Sequence, residues 1–169
     1  MHEALISAKE VDDFIMVRAI AFVTRIQRAV QRDVLRDEDI PVLEWRLLYS
    51  VARLGSCHLA LITQKTSIDP AHGSRAVSAL EDKGLIVRHT DPENRRRKVI
   101  SLSDSGKAYV ERIWPKVQAV MKSVTDQLDP RDFEEAKRLL DLLNEAAEPL
   151  RTKPEDNKTK SDAGSIAAE

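Results

Sequence analysis

Along the first third of the chain, apolar positions return at helical spacing. Val11, Phe14/Ile15, Ala19, Phe22, Ile26 and Ala29/Val30 step by three or four, predicting a long amphipathic helix from Val11 to about Arg32. The polar run Arg36-Asp37-Glu38-Asp39 breaks the pattern, and Pro41 opens a second helix. Its buried face is Leu43, Leu47, Leu48, Val51 and Leu54, and Gly55 ends it. A short helix from about Leu59 to Thr66 follows, with Leu59 and Ile62 as its apolar positions. Asp69 is then placed as N-cap and Pro70 as first residue of another helix, where a missing N–H costs nothing. Ala76, Val77 and Leu80 face inward on that helix, and Gly84 sits just past its end as the left-handed stop.

Beyond Gly84 the segments LIVRHT and KVISL read as two strands around a turn of Asp91, Pro92, Glu93 and Asn94. Ser103 caps a further long helix with Val110, Ile113/Trp114, Val117, Val120/Met121, Val124 and Leu128 in register, a seam suited to another helix rather than to a small core. Pro115 inside it removes one backbone hydrogen bond and is expected to bend it. Asp129 and Pro130 start a last helix with Phe133, Ala136, Leu140, Leu143, Ala147 and Leu150 on one face.

Two short helices joined by a tight turn, then a hairpin with a basic tip, have the layout of a winged helix-turn-helix. The expected fold is mainly α with a small β-hairpin wing. Residues 1–10 form an N-terminal arm, 11–36 an N-terminal dimerisation helix, 37–103 the winged helix-turn-helix domain, 104–150 C-terminal dimerisation helices, and 151–169 a polar, disordered tail. The long flanking helices carry more apolar stripe than a winged helix of this size covers, which argues for a homodimer.

Composition narrows the class. With 42% apolar and 33% charged residues, the chain suits a soluble helical protein. It has one cysteine, so no intrachain disulfide forms, and a reducing cytoplasm is expected. No apolar run approaches the roughly 18 residues of a membrane span. The net charge of −1 gives a nucleic-acid binder no support, but charge is unevenly placed. Between Lys65 and Lys98 there are eight basic and five acidic residues; between Leu128 and Glu148 there are three and seven. A local basic face matters more for DNA than the total.

The candidate DNA contacts follow from that face. Arg75, near the start of a capped helix, can reach a guanine edge, while His72, Ser74 and Ser78 lie on other faces of the same helix, toward phosphates. Arg95, Arg96, Arg97 and Lys98 at the hairpin tip suit a narrow minor groove. Trp45 and Tyr49, four apart on the second helix, are either a core or interface contact or the lining of a ligand pocket. Arg18, Arg25 and Arg32 repeat at seven on the first helix, as a solvated face or an anion-binding wall. An anionic or phenolic aromatic effector held near Trp45 and Tyr49, with Arg18 or Arg25 as counter-ion, is the expectation for a ligand.

Other chemistries find little footing. His2, His58, His72, His89 and Cys57 are scattered, with no helical pair at metal-ligand spacing, so neither a metal nor another cofactor is expected. Cys57 would need a low pKa and exposure to act as a redox switch; a buried structural thiol is the plainer state. Phosphate-binding glycine loops, GxSxG and HExxH are absent, so no enzyme is expected. The alternatives are a winged helix serving as a protein-interaction module, or a winged-helix repressor of another type without a small-molecule ligand.

SRAVSALEDKGLI, DPENRRRKVISLSDSG and PVLEWRLLYSVARLG together resemble the recognition helix, wing and second helix of the MarR (multiple-antibiotic-resistance regulator) family. The likeness runs from about Val11 to Leu150. It implies a homodimeric repressor that sets a recognition helix in the major groove and a wing in the minor groove. It also implies release by a small aromatic acid or phenol bound between the dimer helices and the winged domain. Two positions depart from the pattern. Asn94 stands where the wing usually carries an aspartate, and cannot form the ion pair that would brace an arginine. Gly73 stands where the recognition helix prefers a β-branched residue, at a cost of roughly 1 kcal/mol of helix stability.

Overall fold

The boundaries of the elements are set by local chemistry. In the computed structural model, which describes residues 14–66, 68–95 and 97–150, the order is α1 (Ile15–Asp33), α2 (Val42–Leu54), β1 (Cys57–His58), α3 (Leu59–Thr66), α4 (Pro70–Asp82), β2 (Ile86–Thr90), β3 (Lys98–Leu102), α5 (Asp104–Thr125), α6 (Pro130–Ala147) and a 3-10 turn, Glu148–Leu150. The expected arm, the polar tail and Arg96 lie outside the described residues. Among those described, no helix is long and apolar enough to cross a membrane.

The start of α2 is capped from α1, whose Gln31 side chain accepts from Val42 N–H at 2.8 Å. Gly55 ends α2 at φ 74°, a conformation that few residues other than glycine adopt. Asp69 accepts from the N–H groups of Ala71 and His72 at 2.9 and 3.1 Å, satisfying two of the orphan donors that open α4. Ser103 ties two elements: its Oγ accepts from Gly106 N–H at 2.9 Å and donates to the Gly84 carbonyl at 2.6 Å. That junction is so close that a Cβ on Gly106 would lie 1.9 Å from the Leu85 carbonyl oxygen.

The chain divides into two units, Met1–Val124 and Thr125–Glu169. In the first, Leu35, Leu47, Leu48, Ile62, Leu80 and Ile113 are fully buried, joining α2, α3, α4 and α5 in one core. Ala76, Val77 and Leu80 of α4 face it, and the sheet adds Ile86 and Ile100. In the second, Asp129 caps α6 by accepting from Arg131 N–H at 2.8 Å, and Leu139, Leu140, Leu142 and Leu143 are exposed.

Two features differ from the sequence pattern. The sheet has three strands rather than two, in the order β1-β3-β2, because Cys57 and His58 pair antiparallel with Ile100 and Val99. A strand of two residues is too short to show an alternation. The apolar seam of α5 also divides: Ile113 and Val117 are buried in the winged core, whereas Met121 and Val124 beyond them are exposed; Leu128, expected on the same seam, lies past the end of the helix. The helix continues through Pro115.

Candidate nucleic-acid interface and a helix-walled cavity

The helix-turn-helix is formed by α3 and α4, and Gly73 is where they meet. It is buried, and a Cβ there would come within 2.9 Å of Thr63 Cγ2 and 3.2 Å of Leu59 Cδ1. The glycine thus serves close packing between the two helices. Thr63 has little room to give way, since its hydroxyl lies 3.1 Å from the carbonyls of Leu59 and Ala60. Opposite that buried edge, His72, Ser74 and Arg75 are exposed and Ser78 is half-buried. His72 Nδ1 lies 3.7 Å from the Asp69 carboxylate. Arg75 has no acidic partner among the described residues, which leaves its guanidinium available to a ligand.

The wing is β2 and β3 with the turn between them, in a register running from Ile86↔Leu102 to Thr90↔Lys98. Its turn closes through Asp91 N–H to the Arg97 carbonyl at 3.1 Å and Arg97 N–H to the Asn94 carbonyl at 2.8 Å. Asp91 is the organiser. Its carboxylate accepts from Glu93 N–H at 2.8 Å and lies 3.1 Å from His58 Nε2, while His58 Nδ1 lies 3.0 Å from the Lys98 carbonyl. The bracing that Asn94 cannot supply as an ion pair therefore has a second source, one that crosses from the wing to β1. Arg95, Arg97 and Lys98 are exposed; Lys98 Nζ donates to Thr90 Oγ1 at 2.9 Å. Arg88 is spent within the protein, paired to Glu81, whose carboxyl it holds below the usual carboxylate range.

A cavity of about 560 Å³ lies among α1, α2, the end of α3 and α5, a volume in the range of small-molecule sites. Phe22, Ile26 and Val30 of α1 line one side, and Trp114 and Val117 of α5 another. Tyr49 stacks on Trp114 with ring centroids 4.6 Å apart and planes at 15°, and on Trp45 at 6.3 Å and 29°. Trp45 is at once core and lining. The cations on this wall are Arg46, Arg53 and Lys65. None of the three has a carboxylate within ion-pair distance among the described residues; Arg46 instead donates to the Thr66 carbonyl at 3.1 Å. An apolar, aromatic wall with a few uncompensated cations is chemically suited to an aromatic anion.

Arg18 and Arg25 stand elsewhere, exposed on α1 and outside the cavity lining. Arg46 and Arg53 show the same seven-residue repeat on α2 that marks the arginines of α1, so the signal for them was present in the sequence. Nothing in the sequence pointed to Lys65 or Trp114 as cavity residues, because both reach it from other helices. Cys57 is buried on β1, and burial pushes its thiol pKa up, which disfavours the reactive thiolate.

A polar cluster fixes α5 to the loop before α2. Arg112 holds Glu38 through two hydrogen bonds of 2.6 and 2.7 Å, keeping that carboxyl below its usual range. Arg112 also lies 5.1 Å from the ring centre of Tyr109. The Tyr109 hydroxyl is buried without a hydrogen bond of normal geometry, and burial, then the neighbouring Glu38 charge, push its pKa up to about 12.

Residues 40–98 match the model of the MarR family. The uncharacterized HTH-type transcriptional regulator YwaE of Bacillus subtilis is 26% identical, over 89% of this chain and 91% of YwaE. A cysteine-to-serine mutant of Escherichia coli MarR, solved in complex with operator DNA, is 20% identical with a TM-score of 0.70, covering 81% of this chain and 99% of its own. BpsR of Bordetella bronchiseptica, in a structure concerned with regulation of its DNA binding by 6-hydroxynicotinic acid, is 21% identical with a TM-score of 0.68, covering 82% of this chain and 95% of its own. Residues 40–98, which hold the helix-turn-helix and most of the wing, thus form a MarR-family domain.

Proposed function

We propose that this MarR-family transcriptional regulator binds a palindromic operator as a homodimer, represses from it, and lets go when a small aromatic acid or phenol enters the cavity. The observation that carries the DNA reading is the set of exposed guanidinium groups without acidic partners among the described residues on α4 and on the wing: Arg75, Arg95 and Arg97. Arg75 reads a base edge; the wing arginines enter a minor groove, with Arg96, outside the described residues, assigned to the same run. His72, Ser74, Ser78 and Lys98 position phosphates. That E. coli MarR was solved in complex with operator DNA supports DNA as the partner.

The dimer is supported by exposed apolar side chains at the cap of α1 and along it, including Phe14, Ile15 and Ile20 at 65, 58 and 61% exposure, and by the leucines of α6. Surfaces of this kind are rarely left to water. Two recognition helices would then read half-sites about 34–36 Å apart. The effector is supported by the cavity's aromatic wall and uncompensated cations, and by 6-hydroxynicotinic acid, which regulates DNA binding by BpsR.

Fluorescence anisotropy with the DNA upstream of the protein's own gene tests the reading. The logarithm of affinity should fall linearly with the logarithm of salt concentration, at about 0.9 per phosphate contacted. Affinity indifferent to salt, or equal for scrambled DNA, would sink it.

A further inference from the structure

Arg46 occupies two places at once. It lines the cavity, and its guanidinium also donates to the carbonyl of Thr66, the last residue of α3. That carbonyl belongs to the negative end of the helix, where the last four C=O groups lack intrahelical partners and a cation is stabilising. Three residues on, Asp69 caps α4, the helix assigned to base reading, and buried Ile68 anchors the turn between them. Arg46 therefore joins the cavity wall to the helix-turn-helix joint through a single side chain.

Its present partner is a weak one. A neutral carbonyl satisfies the geometry of a guanidinium but not its charge, whereas a carboxylate balances the charge and can accept two parallel N–H bonds. Arg46 is half-buried beside Trp45, where water screens less than at the surface, and no acidic side chain among the described residues competes for it. Arg53 and Lys65, also lining the cavity, are exposed; Lys65 lies in the last turn of α3, but among the described residues neither side chain donates to the Thr66 carbonyl as Arg46 does. An anion in the cavity can draw on all three cations, but only Arg46 must give up a structural bond to answer it.

We infer that Arg46 is the coupling residue of this regulator: the carboxylate of an aromatic acid in the cavity takes its guanidinium from the Thr66 carbonyl, and the joint that sets α4 loosens. This rests on the effector reading above. The two states are Arg46 on Thr66, competent for DNA, and Arg46 on the acid, less so. The acid shifts the balance only by its preference for the second. Linkage requires that operator DNA weaken acid binding by the same factor. An acid is then an effector, whereas its carboxamide, matched in ring and size, is not.

The test uses the full-length protein, a panel of hydroxybenzoates and 6-hydroxynicotinate with their carboxamides, and operator DNA. Calorimetry should show the acids binding wild type about tenfold tighter than the amides, and saturating acid should lower operator affinity about tenfold. In Arg46→Ala, the acid-over-amide preference should fall to about twofold or less. Operator affinity without any acid should drop toward that of acid-bound wild type, and acid should change it no further. Arg46→Lys, which keeps the charge without the fork, should keep most of the acid affinity and lose the coupling. Arg53→Ala and Lys65→Ala should bind acid more weakly yet still release DNA at saturation. Thermal melts establish that each variant is folded. Release of DNA by acid from Arg46→Ala with the wild-type fold-change overturns the inference and leaves the effector reading standing. Failure of every acid to bind wild type overturns both, and amides that bind and release as well as acids overturn the inference alone.

Discussion

The reading surface and the cavity hold the same kinds of cation in opposite settings. Arg75, Arg95 and Arg97 come from one continuous stretch of chain and stand in water without acidic partners among the described residues. Arg46, Arg53 and Lys65 are gathered from two helices against an apolar wall of Trp45, Tyr49 and Trp114. Exposed charges act on a polyanion, where many weak contacts each release counterions and the summed effect is steeply dependent on salt. A cation beside aromatic rings acts on a single anion, which loses its water on entry and is held in a medium that screens less. Setting, not residue type, separates the proposed DNA surface from the proposed small-molecule site.

The contrast can be broken most severely at Trp114. Its ring stacks on Tyr49 and lines the cavity, while its helix contributes Ile113 and Val117 to the core. Trp114→Ala should cost about 3 kcal/mol of stability, at the low end for a tryptophan because the ring is only half-buried. Denaturant melts would show it, and acid binding should vanish. The salt slope of operator binding should stay unchanged for the fraction that is folded. A changed slope would mean that the two regions share their charges.

Arg75→Ala should do the reverse. Operator affinity should fall by about 1–3 kcal/mol, with the loss concentrated at one base pair of each half-site, and the melting curve and acid affinity should not move. Anisotropy with base-substituted operators reads this directly. Equal loss on every sequence would reassign Arg75 to a phosphate.

The smallest effect sharpens the comparison by lying outside both regions. Arg112 holds the folded-state pKa of Glu38 below its ordinary value. The stabilisation from Glu38 is therefore present above the unfolded carboxylate pKa and is lost as pH falls through the lower folded one. Glu38→Gln should cost about 1 kcal/mol at neutral pH, because Arg112 is half in water and screening limits the pair. The difference from wild type in thermal melts should shrink below about pH 4. Operator and acid affinities should be untouched. A difference that persists at pH 3 would show that packing, not charge, is at work.

Much of the reading surface was legible because it is local. Asp69 and Pro70, Gly84, the two strand segments and the turn at Asp91 each announce themselves within a few residues, and the structure places α4, β2 and β3 accordingly. Gly73 was legible as an anomaly but not as a solution: its reason is Thr63 and Leu59 on the preceding helix. Asp91 was read as part of a turn, and its role as brace depends on His58, brought beside it by a two-residue strand that no periodicity reveals. The cavity was half legible. The four-residue spacing of Trp45 and Tyr49 puts them on one face of a helix, whereas the cations of the lining are not the expected pair: Arg18 and Arg25 repeat at seven on α1 outside it, as Arg46 and Arg53 do on α2 within it.

What the sequence determined by itself was whatever depends on bond geometry and near neighbours. That covers where helices start and stop, which faces are apolar, and that a basic tip follows a capped helix. What only the tertiary structure decided was which of those faces meet. Solvation favours burying the apolar seam of α5 without naming its partner, and packing gave Ile113 and Val117 to the winged core while leaving Met121 and Val124 outside it. The same packing turned Arg46 from one charge among many into the residue shared by the cavity and the joint before α4. A side chain's role is set by groups distant in sequence whenever its charge must be balanced across helices, because Coulomb interactions depend on distance in space alone.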